Sequence, residues 1–197
     1  MILCQSAIGG ARMFFVLGIL AAAASSANVP ADDALANITA GHLLCSNPDA
    51  TTRTCTTIDT YSLAADGTIT DAGELMISET PLISLTTTAI VHIENGAICG
   101  TMREADLLNG KVRLNGELLP TDRNAAVVAK LVEKYGSMFG RQACETVSLI
   151  DGKLLKFGQI ERVDIKLPGK PVKWVAAGDG YKVGPRAPAS ESQAARQ

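Results

Sequence analysis

Six Asn-Gly or Asp-Gly dipeptides punctuate the chain: Asp66-Gly67, Asn95-Gly96, Asn109-Gly110, Asn115-Gly116, Asp151-Gly152 and Asp179-Gly180. These residues accept positive φ at the least cost, and tight hairpin turns demand it. Most are flanked by runs rich in Val, Ile, Thr and Leu, such as residues 86–94, 97–102, 147–150 and 153–157, which read as strands. Turns this closely spaced leave no room for the helical crossover that each parallel strand pair needs. The expectation is an α+β fold that is mainly antiparallel β, a meander or small barrel-like sheet, with one amphipathic helix.

That helix is marked by Ala125, Val128, Leu131, Val132 and Tyr135 at three- and four-residue spacing, with Lys130, Glu133 and Lys134 on the other side. Thr121 or Asp122 is the expected cap after Pro120, and Gly136 the expected left-handed residue past its end. A second helix is expected to start around Pro30-Ala31-Asp32-Asp33, where two acids suit the positive end of the dipole.

The amino-terminal 27 residues carry one charge, Arg12, then an apolar run over 13–24 and Ser25-Ser26-Ala27, the three-part pattern of a secretory leader cut after Ala27. Twelve residues of helix cover about 18 Å, short of the roughly 30 Å hydrocarbon core, so a retained anchor is the poorer reading. The organisation read from the sequence is a leader over 1–27, one β-rich domain over 28–182 and a Pro-, Ser- and Ala-rich disordered tail over 183–197. The protein is therefore expected in the periplasm or outside the cell, with no membrane span once the leader is gone.

Loss of the leader removes Cys4 and leaves Cys45, Cys55, Cys99 and Cys144, an even set in a compartment where disulfides persist. Of three connectivities, Cys45–Cys55 with Cys99–Cys144 is preferred, because the first pair brackets the turn-rich Ser46-Asn47-Pro48-Asp49. In the chain-entropy model such staples contribute about 3 and about 4 kcal/mol.

Charge is unevenly spread. Residues 28–97 hold one basic residue, Arg53, against nine acidic ones, whereas residues 98–197 hold 16 basic against 11 acidic. The two halves are expected to pack together and compensate each other. The competing reading is a basic binding face made of Lys166, Lys170, Lys173, Trp174 and Lys182, with Arg162 nearby, facing an envelope protein or an anionic polymer. Nucleic acid is excluded as a partner, because the few aromatic residues are too scattered for a stacking platform.

Reaction centres are scarce. A two-residue turn at Asn95-Gly96 places His92 opposite Cys99, and an imidazole beside a thiol can make an activated nucleophile. Oxidation of Cys99 would remove it, so His92 and Cys99 are candidates and no catalytic residue is assigned. His42 and His92 are the sole histidines, so no zinc motif exists, and phosphate, nicotinamide and calcium motifs are likewise missing. No metal or cofactor is expected. Asp32-Asp33 and the pair Asp66 and Asp71 read as a helix start and solvated turns. The function expected is an exported, non-catalytic module with a binding or structural role in the cell envelope. The alternatives are a periplasmic enzyme with a Cys99/His92 or carboxylate centre, or a small enzyme inhibitor.

Overall fold

The structure, a computed structural model, describes residues 32–163 and 169–187. The expected leader, residues 188–197 of the expected tail, and Lys166 lie outside the described residues. In chain order the elements are α1 (Ala34–Thr39), β1 (Leu43–Ser46), β2 (Thr54–Cys55), β3 (Thr57–Leu63), β4 (Ile69–Glu79), β5 (Leu82–Glu94), β6 (Ala97–Thr101) and α2 (Glu104–Leu108). They continue with β7 (Lys111–Leu114), β8 (Glu117–Leu118), α3 (Thr121–Tyr135), β9 (Gln142–Ile150), β10 (Lys153–Ile160), β11 (Lys170–Val175) and β12 (Lys182–Val183).

Eight of these strands form a ring. Each of β1, β3, β4, β5, β6, β9, β10 and β11 pairs antiparallel with the next, and β11 returns to β1. The meander therefore closes into a barrel, which removes the edges an open sheet would expose. Three of the six dipeptides make the two-residue hairpins. Asn95-Gly96 has φ of 51° and 81°, Asn115-Gly116 51° and 89°, and Asp151-Gly152 50° and 71°, both positive as a type I′ turn requires. Asn109-Gly110 serves differently: Asn109 ends α2 at φ −83°, and a Cβ on Gly110 would lie 2.8 Å from Leu107 O and from Leu85 Cδ1. Close packing, not a hairpin, requires that glycine.

Strand alternation sends one face of each ring strand inward. Leu44, Tyr61, Ile69, Val91, Ile98, Val147 and Val172 form one buried cluster, with Ile93, Leu154 and Trp174 packed against it. Ala34 and Ile38 of α1 join the same cluster, so this short helix plugs the end where the β3–β4, β5–β6 and β9–β10 turns gather. The helix starts later than the sequence suggests. Asp33 stands outside it as the cap, its Oδ1 accepting from Ala36 N at 2.9 Å, a use of the carboxylate that satisfies an otherwise orphaned donor.

At the other end β4 and β5 run on beyond the ring, and residues 83–86 of β5 pair with β7 as well as with β4. This annex, completed by the β7–β8 hairpin, is covered by α3. Leu85, Val112 and Val128 are its buried centre, with Leu75, Ile83, Leu107, Leu119, Val127, Leu131 and Val132 around them. Asn124 clamps α3 to β7: its Oδ1 accepts from Val112 N at 2.7 Å and its Nδ2 donates to Gly110 O at 3.0 Å.

Both expected ends of α3 need correction. Thr121 is already helical, Pro120 occupies the cap position without a side-chain cap, and the first helical bond runs from Asn124 N to Pro120 O. Gly136 has φ −52° and opens a 3-10 turn, Gly136–Met138, while the left-handed residue is Gly140 at φ 79°. Tightening the last turn satisfies the terminal carbonyls, so the reversal into β9 is postponed by four residues.

The disulfides are Cys45–Cys55 and Cys99–Cys144. Cys99 and Cys144 are directly opposed on β6 and β9. Near the first staple, β12 pairs in parallel with β2, and packing continues past it: Gly184 N donates to Cys55 O at 3.0 Å. Thr54 Oγ1 donates to Pro185 O at 2.9 Å and Ala187 N to Asp49 Oδ2 at 2.8 Å. The Ala187 N–H, followed by those of Thr51 and Thr52, holds the Asp49 carboxyl below its ordinary range. The boundary expected at residue 182 thus falls inside a strand pair. Among the described residues no helix is long and apolar enough to cross a membrane.

Candidate functional site

The barrel interior is not uniformly apolar. Alternation turns Asp59 and Tyr61 of β3, Asp71 and Gly73 of β4, Glu145 of β9 and Lys156 of β10 toward the axis. Asp59 and Lys156 are 6% and 8% exposed. Lys156 Nζ donates to Asp59 Oδ2 at 3.2 Å and lies 2.8 Å from Glu145 Oε2, so one ammonium ties β3 to β9 and β10 across the ring. The Glu145 side chain, 42% exposed, carries the cluster to solvent at the annex end of the barrel.

Asp71 stands directly opposite Tyr61 in the β3–β4 register, and Gly73 opposite Asp59. A Cβ on Gly73 would lie 3.0 Å from Asp59 Oδ1 and 4.0 Å from Asp71 Oδ1, so the missing side chain leaves the place into which the two carboxyls converge. The Tyr61 ring packs against Trp174 with centroids 6.1 Å apart at 53°.

The one ammonium contacts two carboxyl groups, Asp59 and Glu145, while Asp71 lies beside them without contacting it, and the electrostatics follow from that imbalance. Burial, reinforced by the charges of Asp59 and Glu145, pushes Asp71 up to about 8, so its carboxyl keeps its proton at neutral pH. Burial also raises Asp59, with the Lys156 ammonium opposing. Burial acts to lower Lys156, but the Asp59 and Glu145 carboxylates override it and hold the amine above its ordinary value. It is therefore a fixed cation rather than a nucleophile or base. Burial keeps Tyr61 a neutral phenol. Among the described residues, Ser46 Oγ and Asp71 Oδ1 are buried polar atoms with no hydrogen-bond partner. Ser46 shares the inward face of β1 with Leu44 and sits one diagonal step from Asp59 across the β1–β3 pair.

The residues singled out from the sequence lie elsewhere. His92 is indeed opposite Cys99 on the outward face of the hairpin, but the buried Cys99 sulfur is bonded to Cys144, and the exposed His92 has its Nε2 3.4 Å from Glu94 Oε2. Lys170, Lys173 and Lys182 are exposed. Lys173 Nζ stands 5.5 Å above the Tyr181 ring, and Arg162 pairs with Glu161 at 3.1 Å. Trp174 points the other way from Lys173, into the barrel. Asp33 and Asp66 do serve as cap and turn residues, Asp66 Oδ1 accepting from Thr68 N at 2.9 Å. Asp71 does not: closure of the barrel carries it inside, next to Asp59, which overturns its reading as a solvated turn residue.

Asp59, Glu145, Lys156 and Ser46 escaped sequence reading for a physical reason. In β10 the apolar side chains Leu155 and Phe157 alternate with Lys156, and the simple pattern would send Lys156 outward. Phe157 instead packs outside the ring, where a Cβ on Gly169 would lie 2.7 Å from its Cε1. The available signal was Asp59 and Tyr61, two residues apart before the Asp66-Gly67 turn, and Asp71 after it.

Among the described residues, no group of three or more His, Cys, Asp and Glu side chains is arranged to hold a metal ion. These features define a class, a closed eight-stranded antiparallel barrel stapled by two disulfides, with paired charges inside it. No family model, curated protein or solved structure matches the chain.

Proposed function

We propose that this protein is an exported binding module whose ligand is taken at the annex end of the barrel, where the interior charges reach solvent. The observation that carries this reading is the Asp59–Lys156–Glu145 bridge with Asp71 beside it. Buried ionic clusters contribute little to stability, because desolvation consumes most of the Coulombic gain, and apolar residues of similar volume commonly do as well or better. A barrel that held these groups for stability alone would be a poor solution. Perturbed carboxyls converging inside a fold are instead a mark of binding or catalytic sites, and the mouth of a barrel is a common place for a ligand. The two disulfides and the leader pattern support an oxidising compartment, periplasmic or extracellular.

A panel of small cations, anions, zwitterions and neutral sugars tests the reading by thermal shift. A ligand of the native state raises Tm with its concentration. The shift should vanish in the double variant Asp59→Leu/Lys156→Met, which removes both buried charges of the bridge and leaves only the half-exposed Glu145 carboxylate without its partner. A panel that moves neither protein, or moves both equally, rejects the binding role. Export is checked separately, by intact mass of the native protein showing a chain that begins at Asn28.

A carboxylate-centred enzyme is the second reading, favoured by one observation: Asp71 keeps its proton at neutral pH, the form in which a general acid works. It requires turnover that disappears in Asp71→Asn.

A further inference from the structure

We infer that Cys99–Cys144 is a redox-active disulfide, opened in the folded protein by an external dithiol that attacks Cys144, with His92 beside the Cys99 sulfur that leaves. This activity is separate from the ligand role of the barrel interior.

The two bridges differ in their surroundings. Cys45 and Cys55 are 0% and 1% exposed and form an apolar cluster with Val175, flanked by Leu43, Ile58 and Tyr181. β12 pairs with β2 at Cys55 as well, so a thiol has no approach to either sulfur. Cys99 and Cys144 instead belong to the outward face of the ring, where Cys144 is partly exposed and Cys99 is covered. Exposed bridges are the labile, regulatory or catalytic ones, whereas sealed bridges resist reduction.

Outward residues Gln159 of β10, Cys144 of β9, Cys99 of β6 and His92 of β5 form one row across four adjacent strands. Cβ atoms of directly opposed residues sit about 5 Å apart. Gln159 is exposed, so Cys144 is open on the side away from Cys99, the side from which a thiolate displaces the Cys99 sulfur. Departure of that sulfur leaves it between Cys144 and His92.

A polar bridge explains why Cys99 is covered although it faces outward. Gln142, one outward step before Cys144 on β9, donates its Nε2 to Glu94 Oε2 at 3.1 Å. Glu94 is one outward step past His92 on β5, and β6 runs between the two strands. The side chains therefore cross β6 at Cys99, and the same Glu94 oxygen lies 3.4 Å from His92 Nε2. An external thiol thus meets one sulfur of the pair, Cys144.

Opening the bridge does not open the barrel. β6 pairs with β9 from Ile98–Glu145 to Thr101–Gln142, and with β5 along its other edge. Backbone pairing keeps the two thiols opposed after reduction, ready to be reoxidised.

The step is thiol–disulfide exchange through a mixed disulfide. One thiolate of the dithiol bonds to Cys144 Sγ, the Sγ–Sγ bond breaks, and its electron pair leaves on Cys99 Sγ. A charged imidazole at His92 stabilises that thiolate and can hand it a proton. The second thiol of the dithiol then attacks the sulfur of its own molecule that is bonded to Cys144. This closes a disulfide in the dithiol and releases Cys144, which takes up the proton. The dithiol is oxidised by two electrons and the bridge reduced by two.

The test is reduction of the native full chain by dithiothreitol at pH 7, quenched with N-ethylmaleimide and read cysteine by cysteine by peptide mass spectrometry. Cys99 and Cys144 are expected to be labelled together, at least tenfold faster than Cys45 and Cys55, while circular dichroism keeps its β-sheet signal. Glutathione in place of dithiothreitol, quenched early, should be caught on Cys144. His92→Gln should slow reduction several-fold while leaving the Tm of the oxidised protein unchanged, a combination that a merely structural histidine would not give. Equal rates at the two bridges, reduction that keeps pace with loss of the β-sheet signal, glutathione on Cys99 alone, or a rate untouched by His92→Gln overturns the inference. A Cys99–Cys144 bridge that resists dithiothreitol until the protein is denatured overturns it as well.

Discussion

The barrel interior and the annex beneath α3 are two cores built on the same long strands by different chemistry. In the annex, Leu85, Val112 and Val128 meet in an apolar layer, and the one polar intruder, Asn124, is satisfied at both ends by β7 and the residue before it. In the barrel, Asp59 and the Lys156 ammonium are closed in beside the raised Asp71 carboxyl, Glu145 reaches from them to solvent, and among the described residues Ser46 Oγ and Asp71 Oδ1 go unpaired. The annex is optimised for holding together. The barrel interior forgoes stability that apolar residues would supply, which is the expected trade where a fold also has to recognise something.

The largest effect should come from breaking the barrel's charge balance. Lys156→Met leaves Asp59 and Glu145 without their shared cation and is expected to cost about 3–5 kcal/mol at neutral pH in urea denaturation. Adding Asp59→Leu to it should restore most of that loss, and a double variant no more stable than the single one would mean the bridge is not what the single variant broke. In the annex, Leu85→Ala should cost about 3 kcal/mol by transfer and cavity terms. That cost should change little with pH between 5 and 8, since Leu85 sits in an apolar cluster with Val112 and Val128.

The sharpest contrast is the pH dependence itself. Between the ordinary carboxyl value of 3.8 and the folded value of about 8, native Asp71 holds a proton that the unfolded chain has lost. Its contribution is fully present at low pH, falls as pH rises through this window by up to about 1.4 kcal/mol per pH unit, and is flat above it. Raised Asp59 adds to the slope with the same sign. Asp71→Asn should flatten the profile measured by denaturant midpoints at successive pH values, whereas a parallel profile of undiminished slope would place the responsible proton elsewhere.

Much of the architecture was legible because it is set by local chemistry. Asn95-Gly96 and Asp151-Gly152 allow backbone that most residues resist, so the hairpins they join could be placed together with their register, down to His92 opposite Cys99. Four cysteines bracketing those elements were enough to prefer the pairing that forms. The amphipathic stripe of α3 was equally plain, although its ends were not: a 3-10 turn and a missing side-chain cap depend on how the flanking strands draw the chain.

What residues 57–63 and 153–160 could not reveal is which of their faces looks inward. Ile58, Leu155 and Phe157 lie on one face, and Tyr61 and Leu154 on the other, so hydrophobic alternation has no single reading there. The choice was made by ring closure. Once β11 reaches β1, curvature alone decides which face encloses the axis, and Asp59, Asp71 and Lys156, distant along the chain, become inward neighbours, with Glu145 reaching from them to solvent. The one-dimensional order of residues determined the turns, the staples and the antiparallel class, because each is a short-range property. The charged interior is a property of the closed surface, and so belongs to the tertiary structure.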